Sequence, residues 1–270
     1  MPLDSMNDFQ ILQRVPEYEA HNEYMGNTFA IIDLETTGLD HTKDKITEIG
    51  IIKVEYFSHG GNVVNVHQSF NDPQMPIIDK ITALTGITNE MVKGQAIDWD
   101  IVENLLDDVD FIVCHNSGFD RKFLEAANAY FINKKFACSK NDIDWQAKGI
   151  LNDKLDYINW KLGYFYDAHR AINDCWATLN AIKQSGSLQE LIDNLSNETY
   201  EVYAVDAPYS KKDLLKESGF YWNDGSNGKP KAWYKIVDSS IDLQSWLSDN
   251  GCDVTRVYKI NAYNRYSVRV

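Results

Sequence analysis

The sequence predicts an α/β protein in which a mixed β-sheet is flanked by helices, followed by a small α+β domain at the C-terminus. Three apolar, β-branched segments follow one another early in the chain, with turn-forming residues between them. Further strand patterns then alternate with helical patterns, and an aromatic-rich stretch closes the chain. Consecutive strands of a meander pair antiparallel, whereas strands that alternate with helices usually pair parallel. The sheet is therefore expected to be mixed.

The elements of the main domain follow from periodicity and turn chemistry. Residues 1–27 are polar and are expected to form a short helix or an irregular lead-in. The predicted strands and helices are, in order, strands at 29–35, 46–57 and 63–70 with turns at 38–45 and 59–62, helices at 89–92 and 97–107, a strand at 110–114, and a helix at 119–130. A further helix carries its apolar pattern through residues 177–182.

A domain boundary is expected within residues 185–198, which divides the chain into a lead-in (1–27), a main domain (28–185) and a C-terminal domain (199–270). The tail is predicted to contain a helix at 211–218, strands at 219–222 and 231–235 joined by a Gly- and Asn-rich loop, a helix at 241–248 and final strands from about Val254.

Composition is typical of an intracellular protein. The chain has 270 residues and no apolar stretch long enough to cross a membrane, and its first residues lack the pattern of a signal peptide. The four cysteines are far apart without paired metal-ligand spacing, so we expect reduced, buried thiols, a cytoplasmic location and no zinc site.

The first motif that carries chemistry is IIDLETTG, at the end of the first predicted strand. Side chains alternate along a strand, so Asp33 and Glu35 point to one face and Leu34 to the other. Two neighbouring carboxylates repel each other unless a cation lies between them, and Mg²⁺ prefers oxygen ligands. The alternative is a carboxylate pair at a strand end that simply faces solvent.

The second motif, IVCHNSGFD, leads from a predicted strand into a helix. It places Asp120 in the first turn of that helix, at the carboxyl end of a strand where open sheets usually bind ligands. Asp120 is therefore either a metal ligand or an acid that complements the helix dipole. His115 and Asn116 lie in the connecting turn, where they either hydrogen-bond the loop or contact substrate.

The third motif, AHRAIND, places His169 and Asp174 five residues apart, which is about 140° around a helix. The two residues therefore do not share a helical face, but the spacing suits a histidine on the loop before a helix that carries Asp174. A loop histidine near a metal site suits a general base, whereas the alternative is a polar residue at a helix start.

These three motifs, together with ITALTGITNEMV, resemble the DEDDh group of 3′-to-5′ exonucleases, in its epsilon-subunit-like and exonuclease X-like branch. The likeness covers about residues 28–183 and implies a ribonuclease H-like fold. It implies that four acids bind metal and that a histidine is the base: Asp33, Glu35, Asp120, Asp174 and His169. It also implies that Thr36, Thr37 and Gly38 lie beside the terminal nucleotide, with Phe119 near the site.

The resemblance implies two divalent cations, Mg²⁺ or Mn²⁺, on opposite sides of the scissile phosphate. The expected function is stepwise release of 5′-mononucleotides from the 3′ end of DNA, preferably single-stranded. Two alternatives stay open, since the same residues serve RNA trimming, and a non-catalytic subunit could bind a polymerase or nucleic acid. A polymerase or repair partner is expected, and no membrane.

The net charge of −14 is unusual for a protein that binds a polyanion. The charge is uneven, because residues 200–270 have 10 Lys and Arg against 9 Asp and Glu, which leaves 16 against 31 in residues 1–199. The tail, whose KKDLLKESGFYW and KAWYK segments loosely resemble a small domain of unassigned function, has two interpretations. In the first, aromatic side chains stack on bases while nearby lysines neutralise phosphates: Lys212, Lys216, Lys229, Lys231 and Lys235. In the second, three tryptophans form the core of the small domain: Trp222, Trp233 and Trp246.

Overall fold

The computed structural model describes residues 11–21, 23–57, 60–226 and 228–268. The chain divides into two compact units, Met1–Asn194 and Leu195–Val270. The strands of the first unit are β1 (Gln13–Arg14), β2 (Thr28–Thr36), β3 (Ile46–Phe57), β4 (Gly60–Phe70), β5 (Val109–Cys114), β6 (Phe136–Cys138) and β7 (Tyr164–Phe165). Its helices are α1 (Asp79–Thr85), α2 (Asn89–Val92), α3 (Trp99–Leu106), α4 (Ser117–Ala127), α5 (Leu155–Lys161), α6 (Ala171–Ser185) and α7 (Leu188–Leu195).

The central sheet of the first unit has the strand order β4-β3-β2-β5-β6. Strands β4, β3 and β2 pair antiparallel, whereas β5 pairs parallel with both β2 and β6. Helix α6 packs against β2 and β3, and α4 packs against β2, β5 and β6. The predicted mixed sheet flanked by helices is confirmed.

Several predicted boundaries are wrong for local reasons. Strand β4 begins at Gly60, ahead of the predicted residue 63, because Gly61 and Asn62 continue the ladder with β3. The turn predicted at 59–62 includes His59, which lies outside the described residues. Helix α3 begins at Trp99, after the predicted residue 97, because the Asp98 carboxylate caps it by accepting hydrogen bonds from two backbone N–H groups.

The helix predicted at 119–130 begins earlier and is shorter. It runs over Ser117–Ala127, and a 3-10 helix at Ala129–Asn133 follows. The N–H of Asn128 bonds to Leu124, and its side chain accepts a hydrogen bond from the next helical turn. Asn128 thus ends one helix and caps the next, which periodicity alone does not show.

The lead-in contains no helix in its described part, and β1 pairs with β7 instead. Residues 1–10 of the predicted lead-in lie outside the described residues. Val15 is buried, and the ring of Tyr18 lies 6.1 Å from that of Trp176 on α6. Val15 and Tyr18 therefore attach this segment to the first unit.

The second unit is a four-stranded antiparallel sheet with two helices, as the predicted α+β tail requires. Its elements are β8 (Thr199–Ala204), α8 (Lys212–Glu217), β9 (Tyr221–Trp222), β10 (Trp233–Val237), α9 (Ser240–Asp249) and β11 (Thr255–Ile260), in the sheet order β11-β8-β10-β9. The predicted hairpin of β9 and β10 is present, with Trp222 paired to Trp233. Strand β8 was not predicted, although it lies inside the sheet.

The prediction that the tryptophans form the core of this unit is correct for two of the three. Trp233 and Trp246 pack against the buried Val202 and Leu247. Trp222 is 51% exposed, because it lies on the short edge strand β9. An edge strand has a neighbour on one side only, so solvent reaches the outer part of its side chains.

All four cysteines are buried and form no disulfide. None of the helices in the described part of the chain has the length and apolar character needed to cross a membrane.

Candidate active site

Asp33 and Glu35 lie on β2, an interior strand of the central sheet. Both carboxylates are half-buried, and Leu34 between them is buried on the other face. The alternation along the strand therefore places the two acids on one face, as predicted. A third carboxylate lies near this pair.

That third carboxylate is Asp174, in the first turn of α6. Oxygen atoms of Asp33, Glu35 and Asp174 all lie within 4.8 Å of one another. Gly50 on β3 pairs with Asp33, and a Cβ there would lie 2.6 Å from the backbone of Ala171. Only glycine lets the first turn of α6 approach the sheet this closely, so Gly50 sets the position of Asp174.

Asp120 lies in the first turn of α4, as predicted, and is 3% exposed. The backbone of Leu34 lowers the pKa of Asp120, so this carboxylate lies close to the strand that carries Asp33 and Glu35. Asp120 is near enough to raise the pKa of both strand acids, but it is not part of the group whose oxygens lie within 4.8 Å. The structure therefore places it beside the three-carboxylate group.

Burial and mutual repulsion make these acids reluctant to ionise. Burial, reinforced by Asp174, raises the pKa of Asp33 well above its usual range and that of Glu35 to about 8. Burial likewise raises the pKa of Asp120 to about 7 and that of Asp174 to about 6. The positive charge of Arg170 opposes the rise at Glu35 but has a smaller effect there than burial and Asp174, and a divalent cation would add positive charge to the cluster.

His169 lies on the turn just before α6, in a left-handed conformation with φ of 67°. Its backbone N–H donates to Asp174 Oδ2 at 2.8 Å, and that of Arg170 donates to the same oxygen at 3.2 Å. The His169 side chain is exposed. The predicted arrangement, a loop histidine next to a helical aspartate, is what the structure shows.

Sequence reasoning missed Tyr166, whose hydroxyl donates to Asp174 Oδ1 at 3.0 Å. Burial, followed by the charge of Asp174, raises the pKa of Tyr166, so the phenol stays protonated and remains a donor. Both oxygens of Asp174 are therefore held by this chain. Tyr166 lies outside the motif, and no periodicity marks it.

Sequence reasoning also missed an ion pair between Glu48 and Arg170. Glu48 is fully buried on β3, where it pairs with Glu35 across the ladder. Its carboxylate accepts hydrogen bonds from Arg170 Nη2 at 2.7 Å, Arg170 Nε at 3.1 Å and Ala171 N at 3.0 Å. The position of Arg170 between His169 and Asp174 was the one feature of the sequence that pointed to a role for this arginine. Glu48 could not be identified as its partner, because it lies 122 residues away.

Three of the predicted substrate residues lie at the end of β2 and in the turn after it. The Thr36 hydroxyl donates to the Gly38 carbonyl at 2.6 Å, and the Thr37 hydroxyl donates to Asp44 Oδ1 at 3.2 Å. A Cβ at Gly38 would lie 2.5 Å from Asp44 Oδ2. These contacts hold the turn at the end of the strand that carries Asp33 and Glu35.

The remaining predicted substrate residues lie around the start of α4. Both ring nitrogens of His115 are hydrogen-bonded, to Ser139 Oγ and to the Asp153 carbonyl, each at 2.9 Å, which favours the loop-bonding interpretation. Asn116 is exposed, whereas Phe119 is half-buried with its ring 4.9 Å from that of Phe123. A cleft of about 340 Å³ is lined by Leu39, His41, Asn116, Gly118, Phe119, Lys122 and Phe123.

Comparisons with known proteins show the family to which the chain belongs. The family model described as Exonuclease (RNase_T) matches residues 30–182, and the chain belongs to this family. The resemblance to exonucleases drawn from the three motifs is thereby confirmed.

Among curated proteins, the chain is similar to DNA polymerase III PolC-type of Clostridium perfringens, with 32% identity over 172 residues. The same kind of protein from Halalkalibacterium halodurans is 33% identical over 174 residues. These matches cover 61% and 59% of this chain but only 12% and 11% of the relatives, so the chain spans about an eighth of their length.

Among solved structures, the chain is similar to Exonuclease I (apo), with a TM-score of 0.52 and 15% identity over 79% of this chain and 62% of that one. Exonuclease X in complex with 5′ overhanging duplex DNA has a TM-score of 0.47 and 24% identity, covering 61% and 98%. The likeness to Exonuclease I supports the fold alone.

Proposed function

We propose that this chain is a metal-dependent 3′-to-5′ exonuclease that hydrolyses phosphodiester bonds of DNA, preferably single-stranded, and releases 5′-mononucleotides. The observation that carries the proposal is the convergence of Asp33, Glu35 and Asp174 within 4.8 Å. Membership of the exonuclease family supports nuclease chemistry at these residues.

The donor set fits two divalent cations, Mg²⁺ or Mn²⁺. Carboxylates are the ligands such hard cations prefer. Burial, and after it the neighbouring carboxylates, raise the pKa values of Asp33 and Glu35, and bound cations would favour the charged form of both groups. Asp33, Glu35 and Asp174 would hold the cations, with Asp120 alongside. When bound, the cations would activate a water molecule and stabilise the charge on the leaving oxygen.

His169 is the proposed general base. Its backbone is tied to Asp174, so the residue stays beside the carboxylate cluster, while its exposed ring is free to meet a water molecule. An imidazole exchanges protons readily near neutral pH, which suits removal of a proton from the attacking water. Tyr166 and the backbone of Arg170 hold Asp174 in one orientation during this step.

Thr36, Thr37, Gly38, Asn116 and Phe119 are proposed to contact the terminal nucleotide, since they surround the turn and cleft next to the acids. We retain a polymerase or repair partner as part of the proposal, supported by the PolC-type names of the relatives. Cytoplasmic location stays a prediction from composition.

The test uses single-stranded DNA and RNA of one sequence, labelled at the 5′ end, with Mg²⁺, Mn²⁺ or EDTA. We expect a ladder that shortens from the 3′ end of DNA, with 5′-mononucleotides as products and no cleavage in EDTA. A ladder on RNA alone would establish the RNA-trimming alternative.

Two isosteric variants test the residues. Asp174→Asn is expected to lower the rate at least about 100-fold, because it removes one charged ligand and keeps the shape of the side chain. Asp110→Asn, an exposed residue at the start of β5, is the matched control and should retain full activity. Full activity of a folded Asp174→Asn protein would rule out the assigned site.

A further inference from the structure

The second unit carries a row of tyrosines on one face of its sheet. Val202 and Ala204 of β8 point to the face on which Leu215 of α8 and Leu247 of α9 pack. Tyr203, between them, points to the opposite face. Its ladder partner on β10 is Tyr234, whose own partner on β9 is Tyr221, so these tyrosines project from the face opposite the helices.

The rings form a continuous row across all four strands. The centroids of Tyr221 and Tyr234 lie 6.2 Å apart, and Tyr234 and Tyr203 are stacked at 5.1 Å. Tyr258 on β11 meets Tyr203 edge-on at 5.6 Å. Tyr203 is 1% exposed and Tyr221 is 66% exposed, so the row is anchored at its centre and offers open ring surface at the β9 edge.

A cationic side chain flanks this row at its other end. Arg256 on β11 is the second ladder partner of Tyr203, so it lies on the same face. It is exposed and forms no salt bridge within the described parts of the chain. Glu201 also faces this side, but its carboxylate is hydrogen-bonded by Lys229, which neutralises it. Arg256 therefore gives this face one exposed positive charge.

We propose that this tyrosine row, defined as Tyr221, Tyr234, Tyr203 and Tyr258, binds single-stranded nucleic acid. Bases would stack on the accessible rings at the β9 edge, and Arg256 would pair with a backbone phosphate. Four strands spaced about 4.8 Å apart make the row roughly 14 Å long, comparable with sheets on which aromatic residues stack two or three bases. The occupant is a polyanion because the available charge on this face is cationic.

The charge distribution of the chain supports this placement. Residues 1–199 carry 16 Lys and Arg against 31 Asp and Glu, whereas residues 200–270 carry 10 against 9. Residues 200–270 therefore repel a polyanion less than residues 1–199 do, and stacking on the tyrosine row together with pairing to Arg256 would supply affinity there. The binding site goes beyond the proposed exonuclease activity and does not depend on it.

The test is binding of a closed, single-stranded DNA circle with an internal fluorophore, measured by anisotropy on the full chain in EDTA. A circle has no 3′ end, and EDTA prevents cleavage, so the readout is separate from the active site. We expect Tyr221→Ala and Tyr234→Ala each to weaken binding about 10-fold, the loss of one stacked base. Arg256→Ala should reduce the slope of log affinity against log salt by about 0.7.

Three variants serve as controls. Tyr221→Phe keeps the aromatic ring and should bind the circle with wild-type affinity. This variant tests the role of the ring even if Tyr221→Ala does not fold. Tyr209→Ala removes an aromatic residue that is 85% exposed and lies outside the row, and it should bind like the wild type. Asp174→Asn should bind the circle normally even when cleavage of linear DNA is lost, which separates this proposal from the exonuclease assignment.

Two results would overturn the proposal. The first is that the wild-type chain does not bind the circle, which is the result expected if this face binds a protein instead. The other is equal affinity of the Tyr221→Ala, Tyr234→Ala and Tyr209→Ala variants.

Discussion

The buried ion pair between Glu48 and Arg170 is expected to hold the start of α6, and with it Asp174, against the sheet. In Glu48→Gln, one of the two carboxylate oxygens becomes an NH₂ group. Whichever way the amide turns, that group faces donors, because Arg170 and Ala171 donate to one oxygen and Arg170 and Gln68 to the other. The substitution therefore removes a charge and leaves buried donors opposed.

The magnitude follows from the burial of the two partners. Glu48 is fully buried, whereas the Arg170 side chain is 32% exposed and is partly resolvated when the pair is broken. Breaking a fully buried pair costs about 3 to 5 kcal/mol, so we expect the free energy of unfolding to fall by about 3 kcal/mol, at the low end. Asp174 lies one turn from Ala171, so Mg²⁺ affinity should fall about 10-fold as well.

Urea denaturation measures the first effect, and calorimetric titration with Mg²⁺ measures the second. The matched control is Glu198→Gln, which removes an exposed ion pair with Lys259, where both side chains are about half exposed. That variant should change stability by less than about 1 kcal/mol. A Glu48→Gln protein as stable as Glu198→Gln, with unchanged Mg²⁺ affinity, would refute the role given to this pair.

Three further predictions concern stability and metal binding. Gly50→Ala should lower the free energy of unfolding, measured in urea, by about 3 kcal/mol, because its Cβ would meet the backbone of Ala171 at 2.6 Å. The control Gly149→Ala has open space around its Cβ but a φ of 77°, and it should lower that free energy by about 1 kcal/mol. Equal losses in the two variants would contradict the argument from close approach. Burial lowers the pKa of His115 to about 4, whereas the pKa in the unfolded chain is near 6.5. The unfolded state therefore binds the proton at a higher pH than the folded state does, and the protein loses stability as pH falls from 6.5 towards 4. Between pH 7 and pH 5 the free energy of unfolding of the wild type should fall by about 1 kcal/mol more than that of His115→Gln, after a discount for the solvent-exposed part of the ring. Parallel curves of unfolding free energy against pH for the two proteins would disprove this. Mg²⁺ at about 100 times its Kd should stabilise the wild type by about 2.7 kcal/mol, seen as a rise in Tm that EDTA reverses, and an equal rise in Asp174→Asn would place the cation elsewhere.

Several features of the site could be predicted because they are encoded locally. The alternation of Asp33, Leu34 and Glu35 places two acids on one face of any strand. The apolar run before His115 and the helical pattern after it place Asp120 in a helical first turn, where the structure has it. Such features depend on periods of 2 and 3.6 residues, which can be counted in the sequence.

Other features depend on contacts between distant parts of the chain. Pairing of Glu48 with Arg170 joins residues 122 positions apart, and both ring nitrogens of His115 find partners more than 20 residues away. One of the two interpretations of the tail placed Trp222 in the core, but its place on an edge strand leaves half of it exposed. Neither periodicity nor composition specifies such contacts, because each depends on sheet order and register.

The fold class, the exonuclease-type motifs and the faces on which the acids lie all follow from local patterns of residues. Which acids meet depends on how the elements pack: Asp33, Glu35 and Asp174 converge, and Asp120 lies beside them. Local periodicity orients a side chain only within its own element. The distance between elements is set by close contacts such as that of Gly50 with the first turn of α6.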